Sequence, residues 1–223
     1  MGAMLRFVEE IVLLLLRDDD GTFVRVPSWS MNYAIAGGIL MDLAMENRID
    51  TDLENLILLD DTPTGDGLLD PTLADIAAGE TQGARYWVER TAEHADAIRE
   101  EALSRLVEHG ILERRDDRFL WVFRSRRYPT VDGRAEREVK LRIMGVLFSD
   151  DIPDPRDVTI ICLADACDIF KELLTGRELE QAAPRIAQVR RLDLIGQAMS
   201  GAIRDIEVSV AASVAASIEG HVY

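Results

Sequence analysis

Apolar positions recur at helical spacing along most of the chain, and the interruptions between them are short and polar. Phe7, Ile11, Leu14 and Leu15 predict a first helix over Phe7–Arg17, closed by the turn residues Asp18, Asp19, Asp20 and Gly21. Thr22–Val26 predicts a short strand stopped by Pro27. Ser30 is placed to cap a long helix from Met31 to about Glu46, apolar on most sides and therefore expected at the centre of the core. Gly37 and Gly38 inside it each cost about 1 kcal/mol against alanine, a loss that close helix packing offsets. Arg48–Thr51 and Leu56–Leu59 predict two short strands joined by an acidic turn. A loop over Asp60–Asp66 follows, with Asp66 placed to cap a helix from Gly67 to about Ala78.

Two further helices are expected over Ala84–Thr91 and His94–His109, the second ended by Gly110 as its C′ residue. Ile111–Arg115 and Arg118–Phe123, with Asp116-Asp117 as the turn between them, predict a β-hairpin. A helix, a glycine and a hairpin make the closing half of a winged helix. Helices are expected again over Ala135–Phe148, Pro155–Leu174, Arg177–Leu192 and Arg204–Ser217. The reading is a mostly α, single globular domain spanning 1–223, with a winged-helix-like β-hairpin, a few short strands and one candidate boundary near 150–155.

Composition narrows the class. With 48% hydrophobic and 30% charged residues, the 223-residue chain is neither disordered nor a membrane composition. Its longest apolar run, Ile11–Leu16, falls far short of the roughly 20 residues of a spanning helix, and Met1–Glu10 has no signal-peptide pattern. A cytoplasmic protein, peripheral at a membrane if it meets one, is the expectation. Cys162 and Cys167, five apart on a predicted helix, are expected as buried free thiols.

The net charge of −16 is uneven: residues 1–80 hold four Arg against sixteen acids. Such acidity argues against nucleic-acid binding, which phosphate contacts dominate. The helix expected over 94–109 carries more acids than bases, so a winged-helix nucleic-acid reader is disfavoured. The local exception is Glu113–Arg127, where Arg114, Arg115, Arg118, Arg124, Arg126 and Arg127 stand against three acids. Within it Phe119, Leu120, Trp121, Val122 and Phe123 form a continuous apolar run. Both faces of an alternating strand cannot enter one small core, so an exposed aromatic face bordered by arginine is expected, suited to a membrane interface or to another protein surface.

Catalytic constellations are weak. There is no Gly-x-Ser-x-Gly elbow and no phosphate-cradling glycine loop, and His94 and His109 read as surface groups on a helix and its C-terminus. Asp60, Asp61, Thr62, Thr64, Asp66 and Asp70 could hold a hard cation, but the spacing matches no EF-hand, and a capped, hydrogen-bonded turn is the better reading. No enzyme, metal or cofactor is expected.

Five stretches resemble the Golgi phosphoprotein 3 family, including its shorter bacterial members: Glu9–Leu14 with Asp20-Gly21; Ala36–Ala44 with Arg48-Ile49; Asp60–Asp66 with Leu68-Leu69-Asp70; Leu106–Leu112; and Arg127–Thr130. The Thr-Pro-Thr-Gly-Asp-x-Leu-Leu-Asp pattern is the most specific. The resemblance implies a helical domain with a prominent hairpin and no catalytic activity. It also implies peripheral membrane attachment through phosphatidylinositol 4-phosphate, and contact with cytosolic protein tails.

Carried over residue by residue, the family's headgroup pocket keeps Trp29 before the central helix and Arg99, while Ala36 and Asp96 fall where the family has basic groups. The expected partners are anionic phospholipid or a membrane surface, with protein tails or self-association as the alternative. The hairpin residues Arg114, Arg115, Arg118, Phe119, Trp121, Phe123, Arg124, Arg126 and Arg127 are the expected contact.

Overall fold

The computed structural model describes residues 5–17, 20–52, 55–117, 125–131, 133–192 and 201–205. Helix α1 (Phe7–Leu15) is apolar except for Glu9 and Glu10, and all nine of its residues are buried. Helix α2 (Ser28–Met45) lies against it, buried through most of Ser30–Leu43. A short hairpin follows, β1 (Ile49–Thr51) antiparallel to β2 (Leu56–Leu58), with Asp50 opposite Ile57. Then come α3 (Asp70–Ala78), α4 (Ala84–Ala92) and α5 (Ala95–Glu108).

A second antiparallel hairpin pairs β3 (Arg115–Asp117) with β4 (Ser125–Arg127). The order closes with α6 (Arg134–Leu147), α7 (Pro155–Ala166), α8 (Ile169–Leu173) and α9 (Gly176–Val189); residues 201–205 are helical. α1 packs on α2, α5 and α6, and α2 packs on α4, α5 and α7. Helices on both sides of residues 150–155 feed the same core. The protein is mostly α, as its periodicity indicates.

Several boundaries differ from the sequence reading, each for a local reason. α2 begins at Ser28 with Pro27 as its cap, so Ser30 is not a cap: it is buried, and its hydroxyl donates to the carbonyl of Cys167. Thr22–Val26 forms no strand, only the isolated bridge of Phe23 with Leu16. α3 starts at Asp70 because Asp66 caps a tight turn before it, accepting from the Leu68 N–H at 2.9 Å. Pro155–Leu174 is two helices, broken where Asp168 takes a left-handed φ of +56° that aspartate tolerates better than most residues. Cys162 and Cys167 are buried free thiols. At the end of α5, Gly110 (φ +69°) donates to Val107 and Ile111 donates to Leu106, the Schellman pattern.

The two glycines of α2 sit where two helices press on it. A Cβ at Gly37 would lie 2.4 Å from Leu163 Cδ2 of α7, and one at Gly38 3.2 Å from the Val8 backbone nitrogen of α1. Leu163 can rotate away, but the α1 backbone cannot. Gly38→Val is therefore expected to destabilise by roughly 2–3 kcal/mol. Gly145→Ala, in open space on α6, is expected to stabilise by about 0.5–1 kcal/mol in the same urea titrations.

Candidate functional site

The hairpin that carries the arginine-rich segment grows from α5 and is fastened at its base. The Glu113 N–H donates to Pro129 O at 2.8 Å, the Val131 N–H donates to Ile111 O at 3.0 Å, and Leu112 bridges Thr130. Gly21 closes the fastening. Its carbonyl accepts from the Tyr128 N–H at 2.8 Å, and its φ of +66° and a Cβ position 2.3 Å from Pro129 N admit glycine alone.

The register of this hairpin corrects the sequence reading. Arg115 pairs with Arg127, Asp116 with Arg126 and Asp117 with Ser125. Asp116 and Asp117 are thus strand residues and not the turn, and their partners lie after the apolar run in sequence. Strand pairing won over turn propensity because the matching residues lie C-terminal to the apolar run. Arg118, Phe119, Trp121, Phe123 and Arg124 lie outside the described residues, as does the side chain of Arg126. Arg114 and Arg115 are exposed, with Arg115 Nη2 2.8 Å from Glu113, while Arg127 is half-buried.

The headgroup residues lie at the start of α2 and on α5. Trp29 stands in the first turn of α2, not before it, with its ring 6.3 Å from that of Tyr33. Arg99 is held by Asp96 at 2.8 Å, donates to the Met31 sulfur at 3.2 Å and lies 5.9 Å from the Phe23 ring centre. Ala36 is fully buried, so a headgroup arginine has no surface to occupy at that position. Of the basic groups that the resemblance implies, only Arg99 is present here, and Asp96 beside it offsets its charge.

The acidic motif 60–70 is a self-bonded turn. Asp60 accepts from the Thr62 N–H at 2.9 Å, and Asp70 accepts from the Thr64 N–H and hydroxyl at 2.7 Å each and from the Gly65 N–H at 3.1 Å. The Thr62 backbone hydrogen bond holds the Asp60 carboxyl below its ordinary range, and the Thr64 hydroxyl does the same for Asp70. Asp66 points inward, with Arg6 Nε at 2.8 Å and Arg105 Nη1 at 2.6 Å. Burial alone raises its pKa, but the Leu68 N–H and the two arginines outweigh that and bring it below its ordinary value.

Arg6 also pairs with Glu46, and Arg105 Nε lies 3.3 Å from the buried Glu9. On the far side of α1, Glu10 receives Arg142 at 2.8 Å and Arg156 at 3.2 Å; burial nonetheless raises its pKa. These buried pairs were missed in the sequence. Two adjacent glutamates inside an otherwise apolar helix were the available signal.

These geometric features coincide with the resemblance motifs, and the comparison with known proteins is direct: the profile described as Golgi phosphoprotein 3 (GPP34) matches residues 7–206. The chain belongs to the Golgi phosphoprotein 3 family. Two relatives, each named vacuolar protein sorting-associated protein 74, show the same kinship. That of Eremothecium gossypii is 24% identical over 212 residues, covering 79% of this chain and 63% of its own length. That of Schizosaccharomyces pombe is 25% identical over 223 residues, covering 84% and 66% respectively. The chain thus spans just under two thirds of the length of these Golgi phosphoprotein 3 relatives.

One buried acid ties this framework to pH. Asp42 is 2% exposed and accepts from the Phe7 N–H at 2.8 Å. Burial raises its pKa from 3.8 to about 7, against the pull of that hydrogen bond and of Arg6. Between those two values the native state holds a proton on Asp42 that the unfolded chain has released, so this group's contribution to stability falls with rising pH by roughly 1.4 kcal/mol per unit until about pH 7. Asp42→Asn keeps the acceptor and removes the titration. Its stability relative to wild type, measured by urea unfolding, is expected to improve by about 2–3 kcal/mol between pH 5 and pH 8.

Proposed function

We propose that this protein is a non-catalytic peripheral membrane protein that meets anionic phospholipid with the connection of its second hairpin. The observation that supports the reading is the β3–β4 pairing, whose described residues flank the run Phe119–Phe123 on both sides in sequence. Arginines stand on both sides of that run: Arg114, Arg115 and Arg118 before it, Arg124, Arg126 and Arg127 after it. Aromatic and apolar side chains suit the interfacial layer of a bilayer, and each nearby basic residue adds about 1 kcal/mol at an anionic surface. Among the described residues no helix is long and apolar enough to cross a membrane.

The acidic first eighty residues oppose any approach that turns them to the lipid, so the hairpin end leads. The family resemblance supports the same direction. Headgroup selectivity is another matter. With Ala36 buried and Arg99 shared with Asp96, charge-driven binding without strong preference for phosphatidylinositol 4-phosphate fits the residues present. Association with a protein tail or a second copy through the same connection is the competing reading.

Co-sedimentation with phosphatidylserine vesicles is expected to fall at least about tenfold in Trp121→Ala/Phe123→Ala, and to fall with salt in wild type. Equal partition of the two proteins overturns the proposal, and a loss of oligomer mass in the double variant without a lipid effect favours the protein-contact reading instead. Asp96→Arg, which supplies a second basic group three residues before Arg99, is expected to gain about tenfold or more on vesicles bearing phosphatidylinositol 4-phosphate over phosphatidylserine alone.

A further inference from the structure

A cavity of about 580 Å³ opens between α3, α4 and α5, lined on α5 by His94, Ala97, Ile98 and Glu101 and so on a different face from Arg99. Its volume lies in the range of small-molecule sites. Leu68, Pro71, Trp87 and Ile98 give it apolar walls. The indole is held in place from behind, since a Cβ at Gly79 would lie 2.8 Å from Trp87 Cη2, and the Tyr86 ring meets it edge-on at 5.1 Å.

Two features of the lining point to a ligand. Thr91 belongs to it, is 3% exposed, and its Oγ1 has no hydrogen-bond partner among the described residues. A buried hydroxyl left unpaired is costly, and a turn of the Thr91 side chain toward a polar ligand group in the cavity would recover that loss. The second feature is charge. Arg90 is already engaged, with Nη1 2.8 Å from Glu93 and Nε 3.8 Å from Asp75. Glu101 has no ion pair among the described residues, so the lining presents surplus negative charge. An anion is disfavoured there and a cation favoured.

We propose that this cavity binds a small amphiphilic amine: an apolar ring between Leu68, Trp87 and Ile98, an ammonium balanced by Glu101, and a hydrogen-bonding group that satisfies Thr91. The site is separate from the hairpin and does not rest on the membrane reading.

Isothermal titration calorimetry of the full chain with three probes tests it. Tyramine carries ring, ammonium and hydroxyl; phenethylamine lacks the hydroxyl; 3-(4-hydroxyphenyl)propionate replaces the ammonium by a carboxylate. The expected order is tyramine, then phenethylamine about tenfold weaker, then the carboxylate weaker still. Thr91→Val is expected to abolish the difference between the two amines and to raise the melting temperature without ligand. Glu101→Gln is expected to narrow the gap between tyramine and the carboxylate. Trp121→Ala/Phe123→Ala is expected to leave all three titrations unchanged, which separates failure here from failure of the membrane reading. Absence of saturable binding by either amine, carboxylate affinity equal to tyramine's, or an unchanged amine ratio in Thr91→Val overturns the proposal.

Discussion

Two arginines from distant parts of the chain converge on the carboxylate of Asp66, and much else is arranged around that meeting. Arg6 comes from the entry to α1 and Arg105 from the last turn of α5, while Asp66 itself is held by the Leu68 N–H at the head of α3. Removing one partner of such a pair leaves charge stranded in a poor solvent, which costs far more than the pair gains. The charges therefore dictate geometry more than they add stability. The apolar residues of α1 alone would let it slide or rotate among its neighbours at little cost in buried area. With Glu9 facing Arg105 and Glu10 facing Arg142 and Arg156, it has one admissible position.

This explains the most specific stretch of the sequence. Thr64, Gly65 and Asp70 shape a turn whose purpose is to present Asp66 inward, and Asp60 steadies its approach by pairing with Arg48. A motif rich in acids and threonines invites a search for a cation. Here the carboxylates of Asp60, Asp66 and Asp70 are occupied by backbone N–H groups, a threonine hydroxyl and guanidinium groups of the same chain.

The elements that were legible in the sequence are those whose signal is local. The period of α1 and α2, the αL glycine after α5, and the packing role of Gly37 and Gly38 follow from residue spacing or from one residue's steric needs. What was not legible depended on partners far along the chain. Nothing near Asp116 and Asp117 indicates that they pair with Arg126 and Ser125, so turn propensity misplaced the hairpin's end. Ser30 resembles a cap until Cys167, 137 residues away, is seen to receive its hydroxyl. Ala36, a plausible pocket position in one dimension, is interior in three.

Gly21 has a consequence of its own. By clasping Tyr128 and Pro129 without a side chain in between, it sutures the foot of the second hairpin to the loop that leaves α1, and through α1 to the interior. The base of the hairpin is thereby continuous with the packed body and not a separate appendage. A change that loosens the turn after α1 therefore loosens the foot of the hairpin as well, although the two lie far apart in sequence.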